Sequence, residues 1–347
     1  MASRILDTRT LNRALLARQL LLQRRNLSIT RSVEMVGGLQ TQYAPSAYIG
    51  LWSRLDGFSR PQLTRALEKG IVIQGTLMRS TIHMVSARDY PLLTEAVRRS
   101  RQEWWLRIAR GRALDPAGHI EVASILRDDL LNGPKTSAQL IETLVANGFS
   151  KDNWEEAGLW IDMIRVPPSG TWERRRANLY GLAPSESVGE AEGLQHLVRR
   201  YLGGFGPATI NDVSLWAGVP ITTLKPVIED MGLRRFRNSE DAVLLDLPRQ
   251  PIPEAGVPAP VRFLPTWDAT LLVHARRTQI LPEEYRSAVF NTKNPHSVPT
   301  FLVDGAVAGS WRHEGGNVRL HPFTPLPRGI RRELEEEARQ LAVFLSD

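Results

Sequence analysis

The chain has 347 residues, with 44 Lys+Arg against 37 Asp+Glu and a formal charge of +7. Its hydrophobic fraction of 42% excludes wholesale disorder, and no run approaches the roughly 18 apolar residues of a membrane span. Cysteine is absent, which excludes disulfides, thiolate nucleophiles and Cys-ligated zinc or iron–sulfur centres.

The expected compartment is a reducing cytoplasm, because the basic, amphipathic N-terminus lacks the continuous apolar core and cleavage site of a secretory signal. Lysine occurs only at 69, 135, 151, 225 and 293, so 39 of the 44 basic residues are arginine. Arginine binds phosphate bidentately, and the basic excess fits a polyanion such as nucleic acid. GC-rich coding produces the same bias.

Leu11, Leu15, Leu16, Leu20 and Leu22 follow helical spacing and predict a helix over 8–25. A second helix starts near Ser28 or Thr30 and runs through Val33, Val36 and Leu39. Pro45 interrupts it. A third follows Ser59-Arg60-Pro61, with Ser59 as N-cap, and ends at Gly70. From Leu77 to Val85 the period changes to two, which predicts one strand. Arg79, Thr81 and His83 then share a face opposite Met78, Ile82 and Met84.

Gly133-Pro134-Lys135-Thr136 and Gly206-Pro207-Ala208-Thr209 each set a helix breaker and a Thr N-cap before an apolar helical run. Hairpin signals follow both, at Val166–Arg176 and at Arg234–Leu247. Helices followed by a strand or hairpin, three times over, predict an α+β chain of three tandem winged-helix modules at 1–92, 93–190 and 191–250. Residues 248–260 are Pro-rich and read as a linker. Turns at Asp304-Gly305 and Gly315-Gly316-Asn317 mark a β region over 251–327. A C-terminal helix occupies 328–347.

Ordinary enzymatic signatures are missing. Gly203-Gly204-x-Gly206 lacks the preceding strand and full spacing of a dinucleotide loop. The seven histidines show no metal-ligand spacing, and for His83 and His313 a hydrogen-bonded structural role is favoured. The tryptophans read mainly as core. Arg98-Arg99-x-Arg101 and Arg174, Arg175 and Arg176 are either solvated faces or phosphate contacts. The polar turn 291–298, with Lys293 and His296, is either an exposed loop or a hairpin tip entering a groove.

An ordered set of segments stands out: Gly38-Leu39-Gln40-Thr41-Gln42-Tyr43-Ala44-Pro45 through Leu55, Leu77–Val85 with Arg79-Ser80-Thr81-Ile82-His83, Arg200-Tyr201-Leu202, Trp216, and Val303-Asp304-Gly305…Gly309-Ser310-Trp311-Arg312. Together these resemble the AlkZ/YcaQ-like winged-helix DNA glycosylases over nearly the whole chain. The resemblance implies three winged helices in an open C, with a small β-barrel-like C-terminal domain, around a DNA channel. It implies monofunctional hydrolysis of N7-alkylated purines, including bulky adducts and interstrand crosslinks in the AlkZ branch.

Gln40 and Gln42 match the polar positions of that family's catalytic Gln–hydrophobic–Gln signature, with Thr41 at the hydrophobic position. The second Gln, where the YcaQ branch carries Asp, points to the AlkZ branch. In the family's Arg-Gly-Thr-x-His pattern Ser80 replaces Gly. DNA contacts are expected from Arg79, Thr81, His83, Arg174, Arg175, Arg176, Lys293 and His296.

Two neutral amides suit this chemistry. N7-alkylation makes the purine cationic, so the base leaves neutral without a general acid. What remains is to stabilise an oxocarbenium-like sugar and aim a water, and a glutamine carbonyl dipole can do both. Residues i and i+2 share a face only in extended chain, so the segment should leave helical geometry near Gln40. The few lysines do not suggest a Schiff-base lyase step. No metal or cofactor is expected; the expected partner of this monomer is double-stranded DNA with alkylated bases, and no membrane. The rivals are a non-catalytic winged-helix DNA-binding regulator and a protein-interaction scaffold.

Overall fold

A computed structural model describes residues 4–346 apart from 110, 112–113, 177, 185, 273–277 and 291–296. The first helix, Thr8–Arg18, is capped by Asp7, which accepts from the Thr10 backbone N–H. It stops at Arg18 instead of running on to 25. Leu20 takes a left-handed φ of 58°, and Arg18 is drawn into a buried bidentate pair with Asp246 at 2.8 and 3.0 Å. Arg234 joins the same carboxylate at 2.7 Å. Part of the arginine excess is therefore internal, tying this helix to the hairpin that carries Asp246.

Ser28 caps Ile29–Met35, and Ser59 with Gln62 forms a capping box on Arg60–Glu68. Pro45 starts a helix, Pro45–Trp52, rather than only ending one. At that position its missing N–H is not needed by any intrahelical bond. A fully buried bidentate pair, Arg54 to Asp268 at 3.0 Å in both arms, anchors the end of this helix to the C-terminal third of the chain.

The strand predicted over 77–85 is instead a hairpin. Val72–Thr76 pairs antiparallel with Ile82–Ser86, and a tight turn joins them. Arg79 and Ser80 adopt φ of 53° and 56° there. The predicted two-face sorting fails for the same reason, and Leu77, Met78, His83 and Met84 are all buried.

This hairpin does not stand alone. One antiparallel sheet runs in the order Leu39–Gln40, Ile82–Ser86, Val72–Thr76, Met163–Arg165, Leu179–Leu182, Lys135–Thr136. The first and second predicted hairpins thus share a seam, with Gln74 opposite Arg165 and Gly75 opposite Ile164. Thr136 and Thr209 cap Ser137–Ala146 and Ile210–Ala217 through capping boxes with Gln139 and Asp212. The third hairpin, Arg234–Asn238 with Val243–Asp246, accepts Ile5–Leu6 as a parallel third strand.

The Pro-rich segment 248–260 has no regular structure, yet it is fixed against the first helix. Arg9 donates to the Ala255 carbonyl at 2.8 Å and Arg13 to that of Val257 at 2.6 Å. Beyond it, Arg262–Leu264, Thr300–Val303, Ala306–Glu314 and Asn317–Pro322 form an open antiparallel sheet. The expected barrel is corrected by this topology, because the two outer strands do not pair with each other.

The last helix, Arg328–Ser346, returns to the N-terminal half. Phe344 packs on Trp52 and Phe58 in a core shared by residues 20–84, 261–311 and 334–344. Trp216 is also core, against Tyr201 and Phe205, whereas Trp104 is largely exposed. No helix among the described residues is long and apolar enough to cross a membrane.

Candidate active site

Gly37 and Gly38, both at positive φ, end the Ile29–Met35 helix and turn the chain into extended geometry at Leu39–Gln40. The predicted departure from helix at Gln40 is therefore present. The strand adds to the sheet edge beside Ile82–Ser86, with Gln40 the register partner of His83. The Thr41 N–H donates to the Ile82 carbonyl at 2.8 Å, which continues the pairing one residue further.

Each glutamine carbonyl has a donor. Arg79 Nη2 donates to Gln40 Oε1 at 3.0 Å, and the Ile82 backbone N–H donates to Gln42 Oε1 at 3.2 Å. Neither donor can pair with an NH₂ group, so the contacts decide which way each amide points. Each oxygen keeps a second lone pair. The two positions are not equivalent. Gln40 is 6% exposed, whereas Gln42 lies on the surface.

Arg79 acts as a bridge. Its Nη1 donates to the carbonyl of Trp216, at the C-terminal end of Ile210–Ala217, where the helix dipole favours a cation. Gly218, just past that helix, has φ of 72° and lies so close that a Cβ there would touch the Arg79 backbone at 3.4 Å. The third helical unit thereby holds the turn of the first hairpin, and that turn holds Gln40.

Thr81 and His83 complete the turn. Thr81 Oγ1 donates to the Met78 carbonyl at 3.0 Å, and His83 Nδ1 donates to the Thr81 carbonyl at 3.1 Å. His83 is hydrogen-bonded, as expected, and its partner is a backbone oxygen. Burial, reinforced by the Arg79 cation and only partly offset by the Thr81 carbonyl, pushes the His83 pKa down to about 3. The imidazole is neutral near pH 7 and acts as a donor within the turn. Among the described residues, no group of three or more His, Asp or Glu is arranged to hold a metal ion.

Arg174, Arg175 and Arg176 are exposed on the loop between Met163–Arg165 and Leu179–Leu182. Arg175 reaches back to the site, donating to the Tyr43 hydroxyl at 3.2 Å while its guanidinium lies over Trp172. Tyr43, the residue after Gln42 in the chain, lines a cleft of about 260 Å³ with Trp172, Arg175, Trp311 and His313. Lys293 and His296 lie outside the described residues. The Phe290–Ser297 bridge pairs the chain on either side of them.

The site includes residues that the motifs did not single out. Arg165 is one: its Nη1 donates to the Thr41 carbonyl at 3.1 Å, between the two glutamines. A lone arginine closing the apolar strand Met163-Ile164-Arg165 was the one signal available for Arg165. The partner of the carbonyl at 216 is set only by tertiary packing.

The sequence model of the DNA glycosylase AlkZ-like family matches residues 33–344. Among solved structures, the chain is similar to the Streptomyces sahachiroi DNA glycosylase AlkZ. The two share 20% identity and a TM-score of 0.84, over 99% of this chain and 97% of that one. No curated protein sequence matches the chain significantly.

Proposed function

This chain belongs to the AlkZ-like DNA glycosylase family and is a DNA glycosylase, and on that premise we propose that it hydrolyses the N-glycosidic bond of N7-alkylated purines in double-stranded DNA through Gln40 and Gln42. The observation that carries the assignment is the fixed orientation of both amides. Arg79 and the Ile82 N–H each hold one glutamine oxygen, Gln40 at the end of the Leu39–Gln40 strand and Gln42 two residues on, where the chain opens to solvent.

Gln42 is the residue that meets the sugar. Its carbonyl dipole, aimed by Ile82, stabilises the cationic sugar of the transition state and orients the attacking water. No proton needs to reach the leaving base, which departs neutral. Gln40 lies beneath and ties the strand to Arg79. Preorganisation of this kind lowers the barrier because the dipoles need not reorient as charge develops.

The three helix-and-hairpin units are read as winged helices around a DNA channel, with Thr81 at the turn and the exposed Arg174–Arg176 loop as backbone contacts. Bulky adducts and interstrand crosslinks are within the proposed range, since the cleft lined by Tyr43 and Trp172 starts at the residue after Gln42. The protein is taken to act in DNA repair as a cytoplasmic monomer. The test is a duplex carrying one N7-alkylguanine, run with a methylated base and a crosslinked base in parallel. Excision leaves an alkali-labile abasic site, whereas a binding protein without catalysis leaves the duplex intact.

A further inference from the structure

We propose that Arg165 is a ligand for a DNA backbone phosphate beside the Gln40–Gln42 segment, a role that rests on the DNA-enzyme reading above. Arg165 closes the Met163–Arg165 strand at the seam between the first two hairpins. Nη1 donates to the Thr41 carbonyl at 3.1 Å. Nε is buried without a partner. Nη2 makes no hydrogen bond within the described residues and, unlike Nε, is not sealed off.

Other inward-facing arginines of this chain are paired. Arg18 holds Asp246, Arg54 holds Asp268, Arg101 contacts Asp162 and Arg200 meets Asp89. Among the described residues Arg165 has no carboxylate partner. Burial also lowers its pKa, with Tyr180 opposing.

A partly buried cation without a counter-ion costs free energy, and leaving it unpaired is far worse than burying a matched pair. The cost is offset if the anion arrives with the ligand. The neighbourhood fits a phosphodiester. Gln42 and Tyr43, which follow Thr41, are exposed, and so are Arg174–Arg176 on the loop that follows the Met163–Arg165 strand. A guanidinium whose Nη1 is held by a backbone carbonyl offers Nη2 to a phosphate oxygen in a fixed direction. Two further buried polar atoms, Thr41 Oγ1 and Gln74 Oε1, also lack partners, and both residues contact or pair with Arg165.

The test compares wild type, Arg165→Met and Arg165→Lys for affinity to an undamaged duplex across a salt series, alongside thermal melts. One lost phosphate contact reduces the slope of log affinity against log salt by about 0.9. Arg165→Met should show that reduction and weaker binding at low salt, while melting at or above the wild-type temperature, because an uncompensated charge has been removed. Arg165→Lys should keep the wild-type slope.

An unchanged slope in Arg165→Met overturns the proposal. A markedly lowered melt, or failure of that variant to fold, overturns it too and assigns the guanidinium to structure. Inorganic phosphate at matched ionic strength supplies the free-anion arm. If it raises the wild-type melt but not that of Arg165→Met, with the slope unchanged, the site takes a free anion and not DNA. Excision is measured separately, so an inactive wild type with a salt-dependent slope sinks the glycosylase chemistry and leaves Arg165 standing.

Discussion

Gln40 and Arg79 meet at 3.0 Å across the edge of the sheet, the amide oxygen of one accepting from the guanidinium of the other. This contact joins the candidate catalytic strand to a turn that is itself strained. Arg79 and Ser80 both occupy the left-handed region, which costs a non-glycine residue about 1–2 kcal/mol.

Ser80→Gly should therefore stabilise the protein. Glycine takes φ of 56° without the Cβ penalty, and part of that gain is lost to the greater freedom of the unfolded chain. A net gain of about 0.5–1 kcal/mol is expected in denaturant titration. A loss of stability would mean that the serine hydroxyl contributes something that the turn geometry does not reveal.

Thr41→Val should also stabilise. Thr41 is 0% exposed and its hydroxyl has no hydrogen-bond partner. Burying a lone polar group costs about 1–3 kcal/mol, and valine keeps the shape and the β-branched preference for extended chain. The Thr41 backbone contacts with Ile82 and Arg165 are unaffected by the change, so excision should stay near wild type. A melt that falls instead would place a bound polar partner at Oγ1.

The chain's local chemistry was legible where it is self-contained. Thr136 and Thr209 cap their helices through residues three positions on, and the turns at Asp304-Gly305 and Gly315-Gly316 join the strands expected around them. The i, i+2 argument placed Gln40 in extended chain, as found. Residues 77–85 misled because Arg79 and Ser80 are poor candidates for two successive left-handed residues. The Trp216 carbonyl and Gly218, far along the chain, hold that turn. Pro45 was read as a stop because a proline ends and begins helices with the same residue. Arg165 offered only the weak signal of a lone arginine closing an apolar strand, because its partner is a backbone carbonyl, which carries no side-chain signature.

His83 gives a pH-dependent expectation. Its pKa is lowered to about 3 in the folded protein against an ordinary value of 6.5, so between these limits the unfolded chain binds the extra proton. Stability should fall as pH drops from about 6.5 toward about 3, the direction required when the unfolded state takes up more protons. His83→Gln should cost about 1–3 kcal/mol at pH 7, where the ring N–H that reaches the Thr81 carbonyl is replaced by an amide of different shape and reach. At pH 4 the gap between variant and wild type should narrow, since glutamine has no proton to gain. Parallel melts across this range check the sign; a constant gap would mean that His83 titrates alike in both states.

The central claim is that the oriented amide of Gln42 acts in the transition state. Single-turnover excision of N7-alkylguanine from a duplex by wild type and by Gln42→Ala, with affinity measured on the same DNA, tests it most directly. Wild type should excise the base, and Gln42→Ala should lose at least roughly tenfold in rate with nearly unchanged affinity. Excision by Gln42→Ala at the wild-type rate would contradict it.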